Sequence, residues 1–563
     1  MRRDAPIGTG SQQILNLGSC DRAIETRICD HASGNLAARI RSRDASLWPG
    51  DKSLISHRLG WIDLPRRMPH RLGHIGHFVE EAVRAGFTHL VHLGMGGSSL
   101  TPLVLHQAFP ADKPLALTVL DTTDPAAVLK IRDERPMQHT LFISASKSGT
   151  TAETAAMQQY FFRTLADHGH DAGRSFAAIT DPKSPLAQQG RELGFRRVFL
   201  NAADVGGRYS ALSYFGLVPA SLAGVDVAGL LSRAGVALNN GGMAGAVALG
   251  ATLGELARAG QDKVTLLLPS SLSAFGMWLE QLLAESTGKH GKGILPVAQE
   301  APGDVKAYGS DRVFVHITLA QEADELSPFV ESLEHAGHPV AHLRLADRAE
   351  LGHQFLHWQL ATAVAGAVLE INPFDEPNVK ESKQNTGQLL SELEQSGQLP
   401  QSAPSLDASP LYFYGGPTAN DAPTLLRGFL RQFRAGDYLA LQVYLPEEPH
   451  THAALQGIRT MVRDTLQIAT TLGYGPRYLH STGQLHKGGP DTGLFVQLTG
   501  DDFADVPVPG TSYSFGQFKL AQAIGDLQAL EGHGRRVLRI HLAGDRAAAL
   551  NRLDEAFHQA LTP

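Results

Sequence analysis

The sequence predicts an α/β protein built on parallel sheets, and three observations carry that prediction. Short apolar runs such as THLVHLG (88–94), LALTVL (115–120), LFISA (141–145), FAAIT (176–180) and RVFL (197–200) alternate with helical stretches, the pattern of strands covered on both faces. The alternation resumes after a glycine-rich helical stretch with VTLLLP, RVFVHIT and VAHLRL, and a third time beyond residue 410 with LYFY, YLALQVY, LFVQL and VLRIHL. Glycines and hydroxyl residues follow the early strands directly, where an open α/β sheet places its ligand crevice.

At 563 residues the chain exceeds a single core, and composition shifts divide it. Residues 1–75 show no strand and helix alternation; LAARIRSRDASLWPGD reads as a helix stopped by Pro49 and Gly50, and no chemistry is assigned to this segment. Residues 76–225 form a first α/β unit and 226–395 a second. SGQLPQSAPSLDASP marks 396–410 as a linker, and 411–563 form a further α/β region.

The charge balance excludes some partners. A formal net charge of -7 shows no basic surplus, so neither nucleic acid nor an acidic membrane is expected as a partner. The two cysteines, Cys20 and Cys29, lack metal-ligand or redox spacing, which fits a reducing cytoplasm. The first residues lack the apolar core of a signal peptide, and the apolar run near 361–369 is too short to span a bilayer. A cytoplasmic protein is therefore expected.

The chemistry centres on LFISASKSGTTAET (141–154). A strand runs into a hydroxyl-rich loop and then a helix, so Ser146, Ser148, Thr150 and Thr151 lie beside N–H groups at the positive end of a helix dipole. That is an anion cradle. Lys147 adds positive charge, and Gly149 lets the backbone approach a ligand. Local helix capping explains the same residues without a ligand.

A second loop, GMGGSS (94–99), follows the first strand; its G-x-G-G spacing lacks the third glycine of a dinucleotide fingerprint, even with Asp121 some way on. Gly96, Gly97 and Ser98 are read as a polar loop facing the same ligand. In DVGGRYSALS (204–213), Gly206 and Gly207 allow a sharp turn that presents Arg208, whose planar fork can stabilise negative charge. Glu285 ends the helix FGMWLEQLLAEST, where a carboxylate can point into a cleft between units; taken alone it reads as a solvated helix glutamate. A helix restarting near Asn378 carries Lys380 and Lys383.

Taken together, GMGGSS, SASKSGTTAET, VGGRYSALS, LLAESTGK (282–289) and INPFDEPNVKESK (371–383) resemble the glucose-6-phosphate isomerases, in that family's order. The likeness is closest to the isomerase part of bifunctional transaldolase/glucose-6-phosphate isomerases, although 75 residues cannot form a transaldolase barrel. The resemblance implies two sugar-isomerase (SIS) domains, each a parallel-sheet αβα sandwich, followed by the C-terminal α/β region. It implies an aldose-ketose isomerase of glycolysis and gluconeogenesis that interconverts glucose 6-phosphate and fructose 6-phosphate through a cis-enediol, without metal or redox cofactor, and it implies a homodimer. Position by position, Ser98, Ser146, Ser148, Thr150 and Thr151 would bind phosphate with Lys147 nearby, the Gly96, Gly97 and Gly207 turns would border the substrate, Arg208 would stabilise the enediolate, Glu285 would move the proton, and Lys383 would close the site.

Two positions depart from the family pattern. Glu376 stands where the family has glutamine, and no Gly-Gln-His segment carrying the ring-opening histidine lies between Glu285 and Lys383. His486, in the polar stretch STGQLHKGG, is the first choice for that role and His290 the second. Two other readings compete: a non-catalytic sugar-phosphate-binding SIS protein, and an isomerase of mannose 6-phosphate or an amino-sugar phosphate.

Overall fold

The computed structural model describes residues 2–6, 11–109, 114–400 and 402–562. Three sheets organise them. The first is wholly parallel, in the order 116–120, 89–94, 140–145, 176–180, 197–200. The second places the parallel strands 340–345, 312–319, 263–267 and 295–297 side by side. The third runs 406–408, 411–415, 536–542, 493–500, 438–444, 469–474, its last four strands parallel. The expected α/β class with parallel sheets is what the chain forms.

Two stretches are more structured than their sequences indicate. Residues 2–6 and 12–16 form an antiparallel hairpin that extends the second sheet by pairing 12–16 with 340–344. The N-terminal segment is also tied in by side chains: Trp48 Nε1 donates to the Ala363 carbonyl at 2.8 Å, and the Trp61 ring lies 5.0 Å from that of Tyr209. Within the expected linker, Leu406–Ala408 pairs with 411–413 as an edge strand; Gln401 lies outside the described residues. The strand at 12–16 pairs with residues far along the chain, so the sequence around it shows little of that pairing, whereas Leu406–Ala408 pairs with the strand that directly follows it.

Four helices position the site. Helix α1 (Ala152–Asp167) follows strand 140–145. Helix α2 (Ser273–Thr287) is buried along most of its length, Trp278, Leu279, Leu282 and Leu283 included, and Gln281 and Glu285, one turn apart, lie side by side on it. Helix α3 (Val379–Ser396) ends at Gly397, whose φ of 77° is the left-handed cap that glycine adopts without strain. Helix α4 (Phe515–Gly532) starts with a capping box of Ser514 and Gln517. Helices α3 and α4 pack so closely that a Cβ at Gly525 would lie 2.8 Å from Thr386 Oγ1.

The first two sheets and the N-terminal segment share one large core, whereas the third sheet has its own. Smaller clusters join them. Phe515 and Phe518 of α4 pack with Phe142 and Tyr160 of the first unit, and Ala284 and Val297 pack with Tyr438 and Leu485. Burying each of Phe515 and Phe518 is worth about 1.5–3 kcal/mol, which favours packing of the C-terminal region against the first unit. No helix among the described residues is long and apolar enough to cross a membrane.

Candidate active site

The hydroxyl loop closes on itself at the start of α1. Ser146 Oγ and Thr151 Oγ1 are 2.8 Å apart, as are Ser148 Oγ and Thr150 Oγ1. The Gly149 N–H donates to Ser146 Oγ at 3.1 Å, and Gly149 takes a φ of 70° with Leu186 N 2.8 Å from where a Cβ would sit. Thr151 stands at the N-cap, yet its hydroxyl turns to Ser146 instead of capping the helix. The first N–H groups of a 16-residue helix thus meet no capping side chain from Thr151, the arrangement that attracts an anion. Lys147 is paired with Asp181 beside this loop.

The glycine turns seat two other groups. A Cβ on Gly97 would lie 2.2 Å from the Gly207 carbonyl oxygen, and one on Gly96 would lie 2.7 Å from the His480 carbonyl oxygen. Only glycine permits both approaches. Ser98 is buried at the end of the same turn.

Arg208 is almost wholly buried and directs all five of its N–H groups to protein acceptors. Nε donates to Ser286 Oγ at 2.8 Å; Nη1 donates to Glu285 Oε1 at 3.1 Å and Glu376 Oε2 at 3.0 Å; Nη2 donates to the carbonyls of Pro373 at 2.7 Å and Asp375 at 2.9 Å. Its charge therefore acts on Glu285 directly. Burial pushes the Glu285 carboxyl above its ordinary value; Arg208 pulls it back, and Glu376 adds to the rise. Burial opposes ionisation of Glu376 too, but Arg208, together with Arg58 and Lys289, more than offsets it and holds that carboxyl low. Glu376 is thus a second carboxylate on the same guanidinium as Glu285.

A cavity of about 230 Å³ has a wall that includes Thr150, Thr151, Glu153, Lys383, His480 and Gln522. Lys383 lies on α3 and is exposed there. His480 ends the turn Arg477–His480 from the C-terminal region, and its Nε2 lies 2.9 Å from Glu153 Oε1. Gln281 Nε2 links the cavity wall to Glu285, donating to Glu285 Oε2 at 2.9 Å and to the His480 carbonyl at 2.8 Å. Burial alone would raise the Glu153 carboxyl, but His480, with Lys383 beyond, brings it down to about 2. Glu153 is ionised at neutral pH.

His486 lies elsewhere. It is on the short helix Gly483–Gly488, fully buried, with Nδ1 3.1 Å from Gln442 Nε2 and its ring 5.0 Å from Phe495 and 6.0 Å from Tyr478. Burial pushes its ring down to about 3, so it stays neutral. The polar stretch around it folds as a buried short helix, and His290 is an exposed turn residue with φ 56°. The histidine on the cavity wall is the one six positions before His486. Sequence reasoning passes over His480, Glu153 and Gln522; Glu153 lies inside the hydroxyl motif, and its place in the first turn of α1 is the available signal. Nothing local marks Gln522.

Comparison with known proteins adds relatives to this geometry. The phosphoglucose isomerase family model matches residues 72–290. The glucose-6-phosphate isomerase of Rubrobacter xylanophilus is 30% identical over 390 residues, covering 59% of this chain and 89% of the relative. That of Thermus thermophilus is 30% identical over 378 residues, covering 58% and 88%. Among solved structures, a hypothetical protein from Thermus thermophilus superposes with a TM-score of 0.56 at 26% identity, over 68% of this chain and all of the other. A glucose-6-phosphate isomerase from Chlamydia trachomatis shares the fold with a TM-score of 0.55 at 18% identity, over 68% and 89%.

Proposed function

Because the chain belongs to the glucose-6-phosphate isomerase family, we infer that it interconverts D-glucose 6-phosphate and D-fructose 6-phosphate and that the cavity between α1, α3 and the Arg477–His480 turn is where it does so. The observation that carries the site assignment is the Gln281 amide, which ties the Glu285 carboxylate to the turn bearing His480. In this reading the substrate phosphate sits on the hydroxyl loop (Ser146, Ser148, Thr150, Thr151), with Ser98 and Lys147 beside it.

The ring of the sugar opens first. His480 takes the O1 hydroxyl proton and returns it to O5 as the C1–O5 bond breaks and the C1–O1 carbonyl forms. Glu285 then removes the C2 proton as the C1–C2 double bond forms and the carbonyl electron pair moves onto O1, giving the cis-enediolate; a proton passes from the O2 hydroxyl to O1, the C2–O2 carbonyl forms, and Glu285 delivers its proton to C1 to give the ketose. Arg208 opposes the effect of burial on Glu285, favouring its ionised form, and supplies the positive field for the enediolate oxygens. Lys383 closes the cavity over the sugar.

Adding fructose 6-phosphate to the purified protein and measuring glucose 6-phosphate tests the activity; no product would return the protein to the non-catalytic sugar-phosphate binders. Cytoplasmic location and homodimer assembly belong to the same proposal, and light scattering that shows a monomer at working concentration would contradict the dimer.

A further inference from the structure

Resting on the reading that His480 opens the sugar ring, we propose that Gln522 and Thr123 are positioning residues that hold His480, through Glu153, with its proton on Nε2 and its Nδ1 available as an acceptor. The chain of bonds starts at Thr123. Its hydroxyl donates to Gln522 Oε1 at 2.7 Å, Gln522 Nε2 donates to Glu153 Oε1 at 2.8 Å, and His480 Nε2 lies 2.9 Å from that same Glu153 oxygen. Thr123, Gln522 and Glu153 are 0%, 3% and 5% exposed, so these bonds are screened from water.

An ionised carboxylate only accepts hydrogen bonds, so both groups facing Glu153 Oε1 must donate. Gln522 therefore presents its amide nitrogen to Glu153 and its oxygen to Thr123, and the threonine hydroxyl has one direction to point. By the same rule His480 presents N–H at Nε2. The nitrogen left to take a proton from the sugar is Nδ1. A buried carboxylate deprived of a donor is costly, and Gln522 is the neutral donor that keeps Glu153 Oε1 aimed at the ring.

The placement of the turn itself has other anchors. Arg477 makes a two-pronged pair with Asp121, Nε to Oδ2 at 2.9 Å and Nη2 to Oδ1 at 2.9 Å, and Gln281 holds the His480 carbonyl. Losing Gln522 leaves these bonds in place. What changes is the proton on the ring, not the position of the backbone.

The test joins a spectroscopic signature to a kinetic split. In the 15N-histidine spectrum of the full chain near pH 8, His480 should show a single Nε2–H tautomer, identified by loss of its signals in His480→Gln. Gln522→Leu should give a mixture of tautomers and a fall in kcat of about tenfold, with the inhibition constant of inorganic phosphate unchanged, because the hydroxyl loop is untouched. Thr123→Val should change both in the same direction but less, and Thr123→Ser should restore wild-type behaviour. If Gln522→Leu does not fold, Thr123→Val carries the test alone. A pure Nε2–H tautomer with undiminished kcat in these variants overturns the relay. Full activity in His480→Gln overturns the underlying role of His480 instead, so the two failures are distinct.

Discussion

Glu153 and His480 meet at 2.9 Å although 327 positions separate them in the chain. One lies in the first turn of α1 in the first unit and the other ends a turn of the C-terminal region. The C-terminal region therefore forms a wall of the cavity and, on the proposed mechanism, takes part in the chemistry. Substituting His480 by Gln should lower turnover by about 10²-fold or more if the ring acts in proton transfer. Substituting His486 by Leu should leave kcat unchanged and alter only thermal stability, since that ring lies among Tyr438, Tyr478 and Phe495. Steady-state kinetics and thermal melts on the pair check this; the reverse pattern would return the role to His486.

The hydroxyl loop should govern affinity and little else. Thr151→Val removes one hydroxyl of the Ser146–Thr151 pair while keeping the side chain's shape. A hydrogen bond to a charged group contributes about 1.5–3 kcal/mol, so KM for the sugar phosphate and the inhibition constant of inorganic phosphate should both rise about tenfold or more. An unchanged phosphate inhibition constant would place the anion elsewhere.

Glu376 should set the acid side of the pH profile. It is a carboxylate held on the same Nη1 as Glu285, and its charge adds to the rise that burial imposes on Glu285. A base must be deprotonated to act, so activity falls as pH drops through the raised Glu285 value. Glu376→Gln keeps an acceptor for Arg208 but removes the negative charge. The acid limb of kcat/KM should move to lower pH; a limb that stays in place or moves upward would show that the two carboxylates do not interact.

How much of this was legible in the sequence follows from how local each feature is. The hydroxyl loop, the glycine turns and the carboxylate ending α2 are each written in a few consecutive residues, because strand ends, left-handed turns and helix starts constrain residue type locally. The strand at 12–16 was not, since its partner lies at 340–344 and QQILN has no alternation of its own. His480 and His486 sit in one polar stretch, and only packing separates them: one faces Glu153, and the other fills an aromatic pocket. Gln522 sits on α4, far along the chain from the α1 residue it touches, and carries no local sign at all.

Glu280 links stability to pH. It lies on α2 next to Gln281 and accepts from Ser481 Oγ at 3.1 Å, and burial, against the pull of Ser481, Arg459 and Arg477, pushes its carboxyl up to about 7. A carboxyl raised on folding binds more protons folded than unfolded between its two values. Stability should therefore be highest below the unfolded value and decline as pH rises toward 7. Glu280→Gln removes the ionisation, so the variant should match wild type near pH 4 and be more stable by roughly 1–2 kcal/mol at pH 8. Denaturant unfolding at the two pH values measures this; equal stability at pH 8 would count against the assignment.

The proton transfer itself is tested by Glu285→Gln. In D2O, the wild type should exchange the C2 hydrogen of glucose 6-phosphate for deuterium as it turns over. The variant should lose exchange and turnover together, by about 10²-fold or more, while inorganic phosphate binds as before. Wild-type exchange and turnover in Glu285→Gln would contradict the account at its centre.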